Sequence, residues 1–323
     1  MSIDISEKDK ELLYELSINC RQSLGELAKK LRSKKTVIAY RIKRLENLGI
    51  IKGYYTLVDS FLLGYDSYKI YFNFQNLNRE IEAEITSYFV KEKNTYFIAS
   101  LEGRFDLVVC RWVRNAEEFY LFFMEMMRKY RNYIMSYVVT PYQYVILGNE
   151  YLTKKAKLEN RTEWKFSPGK IVNADKMDLA ILQEISYNAK ATIVEIGSKL
   201  NITPNAIKYR IKNLKNLGVI KGFRADIDFD LLGYDWSKVD INLNDYEDYD
   251  NILNFIKFNS NTFAIDKSIG LADVESEFHY ESKEELKSFL DELASKFPKS
   301  IKNYSYFLMR KVYKMNFMPE TSL

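Results

Sequence analysis

The sequence predicts an α+β fold in tandem repeat, each copy a helix-turn-helix domain followed by a ferredoxin-like β-α-β-β-α-β domain, and three observations carry it. Residues 31–53 read LRSKKTVIAYRIKRLENLGIIKG and residues 200–222 read LNITPNAIKYRIKNLKNLGVIKG, in register without a gap at an offset of 169. After each stretch the hydrophobic period changes from helical to extended. The strands and helices that follow then come in the same order both times.

In the first copy, Ser6 and Asp9 have the spacing of a capping box, and Leu12, Leu13 and Leu16 follow at helical spacing, so a helix runs to about Asn19. Ser23 and Glu26 form a second box that opens a short helix with Leu24, Leu27 and Leu31. The third helix carries Ile38, Ile42 and Leu45 toward a core and ends near Gly49, a candidate left-handed cap. Three helices with a tight turn before the third make a helix-turn-helix. The second copy repeats this with Asp175 and Asp178, Thr192 and Glu195, then Ile207, Ile211 and Leu214. Thr203 and Pro204 supply its third helix with an N-cap and an N1 proline, where the first copy has Lys34 and Lys35.

Residues 50–58 are β-branched and aromatic, and in 67–74 Tyr68, Ile70, Phe72 and Phe74 alternate with polar residues as a half-buried strand would. A helix is expected over 79–91, strands over 95–101 and 106–113, a helix over 116–130 and a strand over 134–146. The second copy gives strands at 237–243, 262–269, 273–280 and 301–313 with helices at 251–257 and 283–296, the offset falling to 167. The resulting domains are helix-turn-helix 1–58, ferredoxin-like 59–152, a polar linker 153–170, helix-turn-helix 171–228 and ferredoxin-like 229–323.

A net charge of +4 excludes a uniformly basic protein, so the basic character is local. Residues 27–45 carry eight lysines and arginines and no acid, and residues 196–225 carry seven and none. Solvated helices normally interleave both signs, so exclusion of acid from two equivalent windows points to a polyanion. Cys20 and Cys110 occupy positions the repeat does not share, which argues for small buried residues rather than a disulfide or metal site. No run approaches the roughly 18 apolar residues of a membrane span, and the first residues lack a signal peptide's apolar core. A cytoplasmic protein without membrane contact is expected, with no metal and no cofactor.

The motif Arg41-Ile42-Lys43-Arg44-Leu45-Glu46 with Gly49-Ile50-Ile51, a Leu-Gly-Tyr hinge, and Gly103 and Asp106 between the middle strands of the second domain resemble the Lrp/AsnC (feast/famine) family of transcriptional regulators. Arg210-Ile211-Lys212-Asn213-Leu214 with Gly218-Val219-Ile220 carries the likeness in the second copy. The resemblance covers nearly the whole chain twice, as if two units had been fused. It implies sequence-specific binding of double-stranded DNA by the third helix and assembly through the ferredoxin-like (RAM-type) domain, which in the family also binds amino-acid effectors. Carried over by position, the groove-facing residues are Lys35, Thr36, Ala39, Tyr40 and Lys43, then Pro204, Asn205, Lys208, Tyr209 and Lys212. Lys34 and Arg44 join the DNA-binding set, and Arg41 and Arg210, each one residue before a core position, suit phosphate contact or packing. Gly103, Arg104 and Asp106, with Gly270 and Asp273, match the effector loops, and a tight turn that needs glycine explains the same residues. An intramolecular pseudo-dimer is expected, with homodimers or higher assemblies left open.

Two other classes compete. The architecture also resembles the siroheme decarboxylases, paired Lrp-like units that cradle a tetrapyrrole and use histidine and arginine near its carboxylates. Here the only histidine is His279, on a predicted strand, where a solvated or structural role is commoner than a catalytic one. A sensory module without DNA binding draws on the acids Asp226, Asp228, Asp230, Asp235, Asp240, Asp245, Glu247, Asp248 and Asp250, which would repel phosphate. They fall outside the third helix, and the expectation is that they disfavour off-register docking on DNA.

Overall fold

A computed structural model of the chain describes residues 3–153 and 158–320; residues 154–157 of the predicted linker lie outside the described part. The first reader comprises α1 (Glu7–Ile18), α2 (Leu24–Lys30) and α3 (Lys35–Asn47), and the second α6 (Lys176–Tyr187), α7 (Ile193–Leu200) and α8 (Pro204–Asn216). All four predicted capping boxes form, each side-chain oxygen accepting the N3 amide while the N3 carboxylate accepts the cap amide. Thr203 caps α8 through its hydroxyl, whereas Lys34, at the N-cap of α3, makes no side-chain cap. Gly49 and Gly218 follow the third helices at φ of 74° and 77°, the left-handed conformation that a side chain would strain.

Strands β1 (Ile51–Val58) and β7 (Ile220–Ile227) pair antiparallel, with Tyr54 opposite Ala225, Tyr55 opposite Arg224 and Thr56 opposite Phe223. Because Tyr55 and Arg224 are themselves repeat equivalents, a pseudo-two-fold axis passes between them. Each strand then closes the other unit's reader. Ala225 and Ile227 pack into the core of Leu12, Leu16, Ile38 and Leu45. Leu57 and Val58 pack into that of Ile181, Ile185, Ile207 and Leu214. Hydrogen bonds cross in the same sense, Cys20 N to Phe223 O at 2.8 Å and Ala189 N to Tyr54 O at 2.9 Å.

In the first ferredoxin-like unit the strands β2 (Asp66–Phe74), β3 (Thr95–Glu102), β4 (Leu107–Val113) and β5 (Ile134–Leu147) carry helices α4 (Arg79–Lys91) and α5 (Ala116–Tyr130). The second has β8 (Asp235–Leu243), β9 (Thr262–Ser268), β10 (Val274–Tyr280) and β11 (Ile301–Met315), with α9 (Tyr249–Lys257) and α10 (Lys283–Lys296). The sheet orders β5-β2-β4-β3 and β11-β8-β10-β9 join edge to edge, β3 to β11 and β9 to β5, so the eight strands close on themselves. Closure leaves neither unit an unpaired edge. One face of each sheet packs its helices: Ile70, Phe72 and Val109 against Ile85, Phe89 and Met126, and Val239, Ile241 and Phe278 against Ile256, Leu286 and Leu290. The other face lines the barrel lumen.

Between the units, β6 (Glu163–Phe166) adds to β5, burying Trp164 and Phe166. Arg161, just before it, donates to the carbonyls of Gly148, Lys257 and Asn259, each at 2.8 Å. The polar composition of this stretch therefore conceals a few anchoring residues. Among the described residues no helix is long and apolar enough to cross a membrane.

The acids of the second half do not form one surface. Asp240 is fully buried in the lumen, and Asp226 and Asp228 lie 3.7 and 3.9 Å from Lys52. Asp248 accepts from the Ser300 hydroxyl at 2.7 Å. The strand pleat turns some of these residues inward, and turns and lysines occupy others.

Candidate nucleic-acid interface

Helix α3 presents Lys35, Thr36, Tyr40 and Lys43 to solvent, with Ala39 half-buried, while Ile38, Ile42 and Leu45 face the core. Helix α8 presents Pro204, Asn205, Lys208, Tyr209 and Lys212 in the same way. Tyr40 and Tyr209 are 68% and 72% exposed, unusual for large aromatic rings on a structural face. Lys35, Lys208 and Lys212 have no carboxylate partner among the described residues, and Lys34 is exposed at the N-cap.

Three arginines of the predicted set are already engaged. Arg41 and Arg44 reach the buried Asp9 carboxylate at 2.6 and 2.7 Å, and Arg210 reaches Asp175 and Asp178, each at 2.8 Å. The ion pairs clamp each third helix onto the N-terminus of its first. At Asp9 burial works to raise the carboxyl's pKa, but Ser6 and the two arginines outweigh it and hold it below the usual range.

The predicted effector loops are turns pinned by their aspartates. Asp106 accepts from Phe74 N at 2.7 Å, and Asp273 accepts from Leu243 N at 2.7 Å. Gly103 sits at φ 128°, and a Cβ there would come within 3.0 Å of Phe307. Gly270, at φ 101°, has open space around it. Arg104 crosses between the units to Asp240 at 3.4 Å.

Sequence reasoning missed the lumen. Lys69 on β2 and Lys238 on β8 are repeat equivalents, both buried, and both point inward. Lys238 lies 2.6 Å from Asp266 and 2.7 Å from Glu275; Lys69 pairs with Asp266 and sits 4.1 Å from the Tyr142 ring centre. Glu277 accepts from the Trp236 indole at 3.0 Å. Burial, with Asp266 beside it, pushes the Glu277 carboxyl up to about 7, and burial takes Asp240 to about 6. Where these acids stand, the first unit has Tyr71, Ala99, Val108 and Cys110. The sequence signal was a lysine kept at the same repeat position in both strands, Lys69 and Lys238. His279 is likewise buried rather than solvated, which burial and nearby Arg224 answer by bringing its imidazole down to about 3.

A family model described as winged helix-turn-helix DNA-binding matches residues 5–52 and 175–221. The HTH-type transcriptional regulator Ptr1 of Methanocaldococcus jannaschii is 32% identical over 112 residues, covering 32% of this chain and 75% of that protein. An uncharacterized HTH-type transcriptional regulator of Pyrococcus furiosus is 49% identical over 59 residues, covering 18% of this chain and 38% of that protein. The chain thus spans about two fifths of the length of that relative. Among solved structures, the siroheme decarboxylase NirDL has a TM-score of 0.63 at 15% identity, covering 98% of this chain and 95% of that one. AsnC of E. coli has a TM-score of 0.40 at 20% identity, covering 43% of this chain and 94% of that one. The likeness to NirDL is one of fold. The chain belongs to the Lrp/AsnC family of helix-turn-helix proteins, with two units in tandem.

Proposed function

We propose that the chain is a sequence-specific regulator of transcription that binds double-stranded DNA with both readers at once and performs no catalysis. One observation carries the reading: two exposed, lysine-bearing helix faces, related by a pseudo-two-fold axis, on helices whose own cores and clamps are already satisfied. Lysines without carboxylate partners are free to replace the counterions of a phosphate backbone. A gel shift over genomic fragments at several salt concentrations tests this. Log K against log salt should fall steeply, by about 0.9 per phosphate contact. Changing Lys35, Lys43, Lys208 and Lys212 together to alanine should leave the fold intact and abolish retardation. A slope near zero removes DNA from the account, and a tetrapyrrole absorbance band in the purified protein would favour the enzymatic alternative that the fold likeness to NirDL invites.

An amino-acid effector at the loop of Gly103, Arg104 and Asp106, or at Gly270 and Asp273, belongs to the same proposal and rests on the family motif. Calorimetric titration of amino acids into the wild-type chain and Asp106→Ala should give heats only in the first; equal heats would sink this loop as the site.

A further inference from the structure

The helix layer of the first ferredoxin-like unit carries an apolar surface that opens to solvent. On α5, Phe119 and Phe123 lean toward the sheet, where Tyr68 stacks on Phe119 at 4.3 Å and Tyr137 meets Phe123 edge-on at 5.1 Å. This ladder does not stop in the core. Tyr120 is 55% exposed, Leu121 59%, and Met135, two residues before Tyr137 on β5, 59%. Met124, a turn further along α5 from Leu121, is half-buried. Single apolar residues on a surface are ordinary, but several large ones on a helix and its neighbouring strand mark a contact.

The second unit shows that the fold does not require this surface. There α10 occupies the same place, with Leu286, Phe289, Leu290 and Leu293 standing for Phe119, Phe122, Phe123 and Met126 toward the core. Outward, Tyr120, Leu121, Met124 and Met135 give way to Lys287, Ser288, Asp291 and Lys302, all exposed. The inward positions are apolar twice and the outward ones once. A single self-complementary patch closes on its own copy as a two-fold pair, whereas open-ended growth needs a second, different patch.

The charges on α5 fit that geometry. Glu117, Leu121, Met124 and Arg128 lie on one stripe at steps of four, three and four residues, a spacing that reads the same in either direction. Glu117 and Arg128 are exposed and have no ion-pair partner among the described residues. About 16 Å of helix separates them, too far for them to pair with each other. A second α5 laid antiparallel across the first brings Glu117 to Arg128 at both ends and Leu121 to Met124 in the middle.

We propose that two copies of the chain associate through α5 of their first units, antiparallel about a two-fold axis, with Tyr120, Leu121 and Met124 at the centre of the contact. This association uses the helix layer; the sheets of the two units are already closed on each other within the chain. It stands independently of the DNA-binding reading, and its test uses no DNA. A contact confined to one helix and a strand end is small, so association is weak and depends on concentration. Sedimentation velocity of the full chain over roughly 1 to 500 μM should show monomer passing to dimer. Changing Tyr120→Lys together with Leu121→Ser gives the first unit the residues of the second at two exposed positions, so the fold should be kept. Each residue enters the contact twice, and association should weaken at least about a hundredfold. Glu117→Arg and Arg128→Glu should each sediment as monomers alone and associate when mixed in equal amounts, because only the mixture again opposes unlike charges at both ends. A wild type that stays monomeric over the whole range would give this face to a different partner and overturn the proposal. So would a Tyr120→Lys, Leu121→Ser chain that associates as the wild type does, or a mixture of the two charge variants that stays monomeric.

Discussion

Glu277 shows how a single lumen residue ties stability to pH. Its carboxyl is raised from an ordinary value near 4.5 to about 7 by burial and by Asp266. Between those values the folded chain holds a proton that the unfolded chain has lost, so stability falls as pH rises through this window. At 1.36 kcal/mol per pH unit the loss is at most about 3 kcal/mol. Glu275, beside it, has the opposite sign: burial pushes it up, but Lys238 and Lys69 outweigh that and hold it low, so its contribution is lost only in acid. Glu277→Gln keeps an acceptor for the Trp236 indole without the charge. Denaturant titrations should find the variant level with the wild type near pH 4.5 and more stable above pH 7; equal stability at both ends would show that Glu277 does not titrate in this window.

At the scale of elements, capping separates the two readers. Thr203 accepts from Ala206 N, at 3.3 Å, while Lys34 leaves the first turn of α3 without a side-chain acceptor. Thr203→Ala should therefore cost about 1 kcal/mol, and Lys34→Thr should gain a similar amount. Chemical denaturation of both variants measures this, and an unchanged midpoint for Lys34→Thr would mean that the uncapped start of α3 carries no penalty. The helices were legible because capping boxes and apolar periods are local: α4 and α5 fall on the residues expected, Arg79–Lys91 and Ala116–Tyr130. The strands were legible in place but not in burial. Tyr68, Ile70 and Phe72 alternate in sequence as the inner face of a half-buried strand would, yet Lys69 and Tyr71 on the opposite face are buried too. Nothing local in β2 announces that a second sheet closes over it, for closure depends on β9 and β11 far along the chain. For the same reason the surroundings of His279 and Arg224 could not be read, since Tyr151, Trp236 and Phe263 meet them only through the fold.

At the scale of the molecule, the halves share a frame and differ in content. Among the described residues the lumen acids come from the second unit, and Lys69 of the first is paired by Asp266 of the second, so the two halves are complementary rather than interchangeable. The readers follow the same rule. Their scaffolds superpose in sequence, but the residues facing outward are Lys35, Thr36 and Ala39 in one and Pro204, Asn205 and Lys208 in the other. Asn205 is able to make a bidentate pair with adenine, and Lys35 offers donors to guanine. A pseudo-two-fold protein of this kind should select an imperfect palindrome whose half-sites are not exchangeable, spaced by about one helical turn or a multiple if both readers meet one side of the duplex. Asn205→Ala should cost roughly 1 to 3 kcal/mol at one half-site and nothing at the other. The salt slope should persist, because no phosphate contact is lost. Selection of binding sites from random DNA measures both points: a perfectly symmetric consensus that Asn205→Ala leaves unchanged would show that fusion had not separated what the two readers recognise.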